Sequence, residues 1–266
     1  MIEKLQEKAQ QGDSQAQFEL GMIYSAGEGI QPNPTVAIEW LKKAGKNGHS
    51  KAQFNLGVMY NFGIGVQCDP QQAAEWLLMA ANQGFELAQL NLGTLYDLGK
   101  GLKADIIEAL KWYKLAAEKG NEVAQFNIGN IYLDGRGVPR NPDEALKWYR
   151  LAAEKKHPEA IFNIGFIYDK GNGVARDYLK AREMYISASE YGSVEATLNL
   201  GVIYFEGKGV KQDFKEAYKW YHIALLSGFG EIAAKNRMLA SSHLKIEEIA
   251  QAQALAREWL KIHKKR

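Results

Sequence analysis

Residues 127–153 read NIGNIYLDGRGVPRNPDEALKWYRLAA, and variants of this stretch recur along the chain every 36 residues. In each copy a glycine precedes a tyrosine by three residues, as in Gly129 and Tyr132, and a pair of glycines follows in most copies. A tryptophan comes later at a fixed distance, as in Trp148, except that Met184 replaces it once. Self-similarity at a fixed period of this length predicts a repeat fold. The recurring glycines are Gly21, Gly57, Gly93, Gly129, Gly165 and Gly201.

Each copy is predicted to form two helices joined by a turn. In the second copy, apolar residues recur every four positions over 51–62, which predicts a first helix with one apolar face. Gly57 lies beside that face, where the missing side chain allows a neighbouring helix to approach closely. Gly63 and Gly65 then end the helix, because glycine adopts the left-handed conformation at low cost.

The second helix of each copy is predicted to begin at an asparagine or aspartate, whose side chain accepts a bond from an otherwise unpaired backbone N–H group. A glutamate lies three residues after this residue in three copies (Glu108, Glu144 and Glu216), which is the spacing of a capping box. A glycine ends the second helix in five copies, and Lys156 replaces it in the fourth. The predicted capping residues are Asn33, Asp69, Asp105, Asn141, Asp177 and Asp213.

Because one helix pair of this size cannot bury its apolar face alone, the copies are expected to stack on one another. We therefore predict an all-α fold, a right-handed α/α superhelical solenoid of six 36-residue helix-turn-helix repeats over 13–228. A single solenoid domain is expected to span 1–266. Residues 1–12 are predicted to form an N-terminal capping helix, and 229–266 a degenerate C-terminal capping repeat.

Composition and charge exclude several classes of protein. The chain has 33 lysines and arginines against 31 acidic residues, which does not favour nucleic-acid binding. Cys68 is the single cysteine, so no internal disulfide is expected. No apolar run of about 18 residues is present, and the polar N-terminus lacks a secretory signal. We expect a cytoplasmic monomer that binds no membrane, no nucleic acid, no metal and no cofactor.

The repeated motif resembles the Sel1-like repeat family, which is related in design to tetratricopeptide repeats. The copy over 127–153 carries the resemblance most fully, and similar copies extend over about 13–228. The resemblance implies a bacterial scaffold or adaptor that binds other proteins and is not an enzyme. One bacterial branch of the family carries a cysteine pair in each repeat and is linked to β-lactam-like compounds. This chain departs from that branch because it has only Cys68.

By the same resemblance, the first helices are expected to line a concave groove that binds a protein or an extended peptide. Charges at the mapped positions are mainly acidic, which favours a basic or neutral partner. The residues predicted to bind the partner are Lys51, Asn55, Asn91, Asp97, Asn127, Asp134, Asn163, Asp169, Asn199 and Glu206.

Two rows of side chains in this predicted groove have more than one interpretation. The recurring asparagines could clamp the backbone of a peptide, because each offers donors and an acceptor. They could equally bond within the protein and stabilise the turn or a neighbouring helix. The second row is predicted to form core between repeats, with part of each ring open to the groove. This row is Phe18, Phe54, Leu90, Phe126, Phe162 and Leu198.

Three other functions compete with the scaffold interpretation. A narrower binding function is that of an inhibitor, such as an immunity protein that neutralises a toxin. An enzyme that binds or hydrolyses β-lactams is disfavoured, because the S-x-x-K match over 242–245 lacks its companion motifs. A structural spacer is supported only by the regularity of the repeat. No catalytic residue is predicted.

Overall fold

The computed structural model describes residues 2–27 and 29–263, and within these ranges all regular secondary structure is helical. Contacts divide the chain into two compact units, residues 1–124 and 125–266. The helices are α1 (Ile2–Gln10), α2 (Ser14–Ala26), α3 (Pro34–Lys46), α4 (Ser50–Phe62), α5 (Pro70–Asn82), α6 (Glu86–Leu98), α7 (Ile106–Glu118), α8 (Glu122–Asp134), α9 (Pro142–Glu154), α10 (Pro158–Lys170), α11 (Tyr178–Glu190), α12 (Val194–Glu206), α13 (Phe214–Leu226), α14 (Gly230–Ser241) and α15 (Ile246–His263).

The predicted all-α solenoid class of helix-turn-helix repeats is confirmed. The even-numbered helices α2 to α12 are the first helices of the six repeats, and the odd-numbered helices α3 to α13 are the second. Gly63 ends α4 in the left-handed conformation, with φ +70°, as its position predicts. The prediction that 1–266 forms one continuous domain stays a prediction.

The two helices of a repeat pack by placing a large side chain over the repeated glycine. In the fourth repeat the ring of Tyr149, on α9, covers Gly129, on α8, so closely that a Cβ on the glycine would lie 2.5 Å from the ring. Tyr113, Tyr185 and Tyr221 cover Gly93, Gly165 and Gly201 in the same way, and leucines do so in the first two repeats. The close approach expected at Gly57 is thus a general feature of the repeat.

All six predicted N-caps of the second helices form. Asp69, for example, accepts bonds from the N–H groups of Gln71 and Gln72. The predicted capping box is wrong in one respect, because the glutamates do not return a bond to the cap. The N–H of Asp105 donates to the carbonyl of Tyr96 instead, and Glu108 pairs with Lys111. The carbonyl of Tyr96, in the first helix, therefore accepts the bond from the cap N–H that a capping-box glutamate would have accepted.

A row of buried glutamines was not singled out in the sequence. Gln53 donates from its Nε2 to the carbonyl of Gly45, at 2.8 Å, and thereby joins α4 to the preceding second helix. Gln17 and Gln89 make the equivalent bonds to Ala9 and Ala81. Carbonyls at a helix C-terminus lack partners within their own helix, so these glutamines stabilise the junction between successive helices. The 36-residue spacing of Gln17, Gln53 and Gln89 is the signal in the sequence that could have identified this row.

The predicted apolar row forms core between repeats. Phe18 stacks on the ring of His49 in the next repeat, with centroids 4.5 Å apart. Phe126 stacks on His157 in the same way, at 4.8 Å. Phe54 packs against Phe85, at 5.1 Å. Aromatic side chains of this size contribute strongly to core stability, so this row joins neighbouring repeats within each unit.

Helices α1, α14 and α15 lie outside the six repeats, and the assignment of 1–12 and 229–266 as capping segments stays a prediction. In the first unit, α1 packs on the first repeat through Ala9, which lies with Ala16 and Leu20 in one buried cluster. In the second unit, Ala252 of α15 packs with Ala217 and Ala240 of the two preceding helices. Met1 and residues 264–266 of the predicted caps lie outside the described residues.

Replacing Lys156 with glycine is expected to stabilise the second unit by about 1 kcal/mol, because a left-handed conformation costs an ordinary residue roughly that much. Lys156 has φ +66°, whereas glycines occupy this position in the other repeats. The measurement is urea unfolding. Gly192→Ala is the matched control and is expected to destabilise, since its φ is +102° and a Cβ there meets nothing within 4 Å. Equal stability of Lys156→Gly and wild type would contradict the expectation.

Candidate functional site

Each first helix leaves one side uncovered by its own unit. In α4 this side consists of Lys51, Asn55, Val58 and Phe62, which are exposed or half-buried. The spacing of four, three and four residues places them on one stripe of the helix. We call these positions, and those that lie multiples of 36 residues away, the first-helix face. The predicted row of asparagines belongs to this face.

In the first unit the first-helix face carries several exposed apolar side chains. Phe62 is 65% exposed and Leu98 is 70% exposed, at the C-terminal ends of α4 and α6. Met22 and Leu87 are further exposed apolar residues of the face. Lys100 lies over the Phe62 ring, 5.7 Å from its centroid. Large apolar side chains exposed in a group are a feature of interaction surfaces.

In the second unit the same positions are mainly polar or charged. Asp134 and Glu206, both predicted partner contacts, are exposed at the ends of α8 and α12. Each has a cation nearby, since Arg136 lies 3.9 Å from Asp134 and Lys208 lies 2.6 Å from Glu206. Local ion pairs of this kind reduce the field that the carboxylates present to a partner.

Asp97 and Asp169 lie one position before the first-helix face. Asp169 is only 8% exposed and is paired with Lys170, at 3.0 Å. The hydroxyl of Tyr113 donates to Asp97, at 3.4 Å. The structure thus turns both carboxylates toward the second helix of their own repeat, while Asp134 and Glu206 face outward.

The asparagine row bonds within the protein at three of its five positions. Asn55 donates to the sulfur of Met22 in the preceding repeat, at 3.2 Å. Asn91 donates to the carbonyl of Leu87 in its own helix, at 2.7 Å. Asn163 reaches Asn130 of the preceding repeat, at 3.2 Å. Asn127 and Asn199 are half-buried in the same row. These bonds favour the stabilising interpretation without occupying every polar atom of the amides.

The tyrosines that cover the glycines extend to this row. The Tyr149 hydroxyl donates to Asn130 Oδ1, at 2.6 Å, and Asn163 bonds to the same oxygen. Burial raises the pKa of Tyr149 above its ordinary value. Burial, with Asp169 nearby, raises the pKa of Tyr185 in the same direction. The Tyr149 hydroxyl therefore stays protonated and acts as a fixed donor beneath the face.

The described residues hold no cluster of side chains suited to a metal ion. Ser242, the serine of the S-x-x-K match, donates from its hydroxyl to the carbonyl of Leu239, at 2.8 Å. It lies in the turn before α15, as the sequence predicts. No helix in the described part of the chain is long and apolar enough to cross a membrane.

Two histidines cap first helices. His49 accepts a bond at Nδ1 from the N–H of Ala52, at 3.2 Å, and His157 accepts one from Ala160, at 3.3 Å. The second nitrogen of His49, Nε2, lies 3.0 Å from Gln15 Oε1. Burial, followed by nearby Lys51, holds the pKa of His49 below its ordinary value. The cap requires the neutral ring, because a protonated Nδ1 cannot accept a bond.

Acidification from pH 7.5 to 5 is therefore expected to destabilise the wild type by up to about 1 kcal/mol more than His49→Asn, which is the typical contribution of an N-cap. Because the folded pKa lies below the unfolded value of about 6.5, this stability is present above that pH. It is lost as the pH falls through the folded pKa. Asparagine keeps the cap without titrating, as Asn121 shows by accepting from Ala124. Thermal unfolding at both pH values measures the difference. Equal losses of stability in wild type and His49→Asn would show that titration of the His49 ring does not affect the cap.

Comparisons with known proteins agree with the repeat structure. The family described as Sel1 repeat matches residues 14–49, 50–85, 87–121, 123–157, 158–193 and 194–229. The chain is similar to a Sel1 repeat protein from Oxalobacter formigenes, with 36% identity and a TM-score of 0.69, over 81% of this chain and 89% of that one. No curated protein matches the sequence significantly.

A second solved structure is a protective antigen of uropathogenic Escherichia coli strains that displays an SLR fold. It has 28% identity and a TM-score of 0.62, over 98% of this chain, and this chain spans 64% of its length. An immunity protein from Pseudomonas aeruginosa has 21% identity and a TM-score of 0.45, over 90% of this chain and 87% of that one, a likeness too low to support an inference. The six consecutive matches confirm the resemblance found in the sequence, and the chain belongs to the Sel1 repeat family.

Proposed function

We propose that this chain is a non-catalytic scaffold that binds a protein or extended peptide on the first-helix face. The observation that supports this most strongly is the exposure of Phe62 and Leu98 at equivalent positions of two successive repeats. Burying each of these side chains in a partner would stabilise the complex by roughly 1.5–3 kcal/mol. Residues of this kind commonly supply most of the binding energy of an interface.

The polar members of the face complete the proposed site. Lys51, Asn55 and Asn91 lie beside the apolar residues of the first unit, where they would bond to the partner's backbone. In the second unit the proposed contacts are Asn127, Asn163, Asn199, Asp134 and Glu206. Asp97 and Asp169 face the tyrosines of the second helices, so we do not propose that they contact the partner directly. The exposed carboxylates Asp134 and Glu206 each have a cation nearby. We therefore expect the apolar anchors to contribute more to the binding energy than attraction for a basic partner.

Affinity capture from lysate of the source cell, read by mass spectrometry, tests the proposal. The wild type is compared with Phe62→Ser/Leu98→Ser and with Asn55→Ala/Asn127→Ala/Asn163→Ala, after circular dichroism has shown that all are folded. We expect a protein that the wild type retains and the serine variant loses. The asparagine variant is expected to retain part of it, because these amides already bond internally. Equal retention by all three would refute the proposed face.

A further inference from the structure

The fifth repeat departs from every other repeat at one position of α11, and at the adjacent position it shares a glutamate with the first two repeats, Glu39 and Glu75. Met184 occupies the place that tryptophan holds in the five others, and Glu183 occupies the place that lysine holds in three of them. The tryptophans are Trp40, Trp76, Trp112, Trp148 and Trp220, and the lysines are Lys111, Lys147 and Lys219. Because the two positions are adjacent, both lie at the same part of the repeat surface.

In the other repeats the indole fills a gap between helices. Trp112 lies in one buried cluster with Ala81 of the preceding second helix and Leu92 of its own first helix. In the third and sixth repeats the lysine beside the tryptophan lies over its ring, with Lys219 Nζ 4.7 Å from the ring centroid of Trp220. In the third and sixth repeats the site thus contains a planar ring and an adjacent lysine, an arrangement that is mutually stabilising.

At the fifth repeat an open pocket lies where the indole would be. Ala153, Ile164 and Met184 line it, and the first two are the equivalents of Ala81 and Leu92. Its volume is about 530 Å³, within the range of roughly 300–1,000 Å³ that is typical of small-molecule sites. The unbranched methionine is thinner than an indole and leaves part of the gap unfilled.

The charges at the rim differ from those of the fourth repeat. In the fourth repeat Lys147 pairs with Glu144, at 2.8 Å. In α11 the glutamate's position is held by Lys180, which pairs with the cap residue Asp177, at 3.5 Å. Glu183 therefore has no ion pair among the described residues, and neither does Glu154 on the other side of the pocket. The rim leaves two carboxylates available to a ligand.

The cations of the rim already have partners. Arg150 donates to the hydroxyl of Tyr168, at 3.2 Å, and Lys180 lies 5.2 Å from the centroid of the Tyr168 ring as well as beside Asp177. A ligand carboxylate would have to compete with Asp177 for Lys180, whereas a ligand cation would meet two carboxylates, Glu183 and Glu154, that have no ion pair among the described residues. The rim is thus better suited to a positive charge than to a negative one.

We propose that this pocket binds a planar aromatic group that carries a positive charge close to its ring. The ring takes the place of the missing indole against Ala153, Ile164 and Met184. The ligand cation lies between the carboxylates of Glu183 and Glu154. Arylalkyl amines have this chemistry, and so does an aromatic side chain next to a lysine in another protein.

Tryptamine is the probe for the first test, with saturation-transfer NMR as the readout and the ε-methyl signal of Met184 as the reporter of location. We expect a dissociation constant on the order of 1 mM, typical of a ligand of this size. Indole-3-acetate, which carries the opposite charge, is expected to bind at least about tenfold more weakly. Glu183→Lys should remove or reverse this preference.

Met184→Trp is the decisive variant, because five other repeats accommodate tryptophan at this position, so the variant should fold. It is expected to lose tryptamine binding by filling the pocket. A blocked Trp-Lys dipeptide distinguishes the two sources of the ligand: tighter binding than tryptamine indicates a protein partner, and weaker binding indicates a free amine. Unchanged binding by Met184→Trp, or no shift of the Met184 methyl signal with either probe, would overturn the proposal.

Discussion

Gly201→Ala is expected to destabilise the second unit by about 3 kcal/mol, the upper part of the usual range for overpacked cores. The new Cβ would lie 2.3 Å from Cε1 of the Tyr221 ring, and the ring is buried. Alanine's better helix propensity, worth about 1 kcal/mol, offsets only part of this effect. Urea unfolding followed by circular dichroism measures the change.

A double-variant cycle shows whether the ring causes this effect. Tyr221→Ala removes the ring and is itself destabilising. In that background, Gly201→Ala should lower the free energy of unfolding much less than it does in the wild type. The two changes are therefore expected to be strongly non-additive, as they are for residues in contact. Additive losses, or a stabilising Gly201→Ala, would contradict the packing of tyrosine on glycine as the basis of the repeat.

Phe62→Ser/Leu98→Ser is expected to weaken partner binding by at least about 100-fold, because two anchors of an interface each contribute roughly 2 kcal/mol. Both side chains are exposed, so the free energy of unfolding should change by less than about 0.5 kcal/mol for each. The measurement is titration calorimetry with the captured partner. Met79→Ser is the matched control, since Met79 is an exposed apolar residue on a second helix. An equal loss of affinity in the control would contradict the assignment.

The sequence predicts the elements of the fold well because their signals are local. Asn33 and its equivalents cap the second helices as predicted, since a cap depends on only a few neighbouring residues. The glycine at position 57 was recognised as a point of close approach, but the side chain that covers it was not. Identifying Leu77 as its partner requires the packing of two helices, which depends on their crossing geometry.

The candidate site is harder to predict, because a shift of one position on a helix changes which way a side chain faces. Asp169 and Lys170 are neighbours in the sequence, yet the aspartate is 8% exposed while the lysine is exposed. The sequence placed Asp97 and Asp169 with Asp134 and Glu206, whereas the structure separates the two pairs. The exposed Leu98 was not included among the predicted contacts.

Two departures from the repeat acquired meaning only from the structure. Lys156 was recognised as an exception to the glycine pattern, and the structure shows that it adopts the glycine's conformation, with φ +66°. Met184 was recognised as a replacement for tryptophan, and the structure shows a pocket beside it. In both cases the sequence identifies the exception, while its physical effect depends on backbone conformation or neighbouring residues.

Site-specific photo-crosslinking tests the central claim most directly. A benzophenone derivative of phenylalanine replaces Phe62 in one variant and Met79 in another, and each is irradiated with the captured partner. Because Phe62 lies on the first-helix face and Met79 on a second helix, the account predicts an efficient crosslink at position 62 and little at position 79. A crosslink at position 79 without one at position 62 would show that the partner binds the second helices, and would contradict the account.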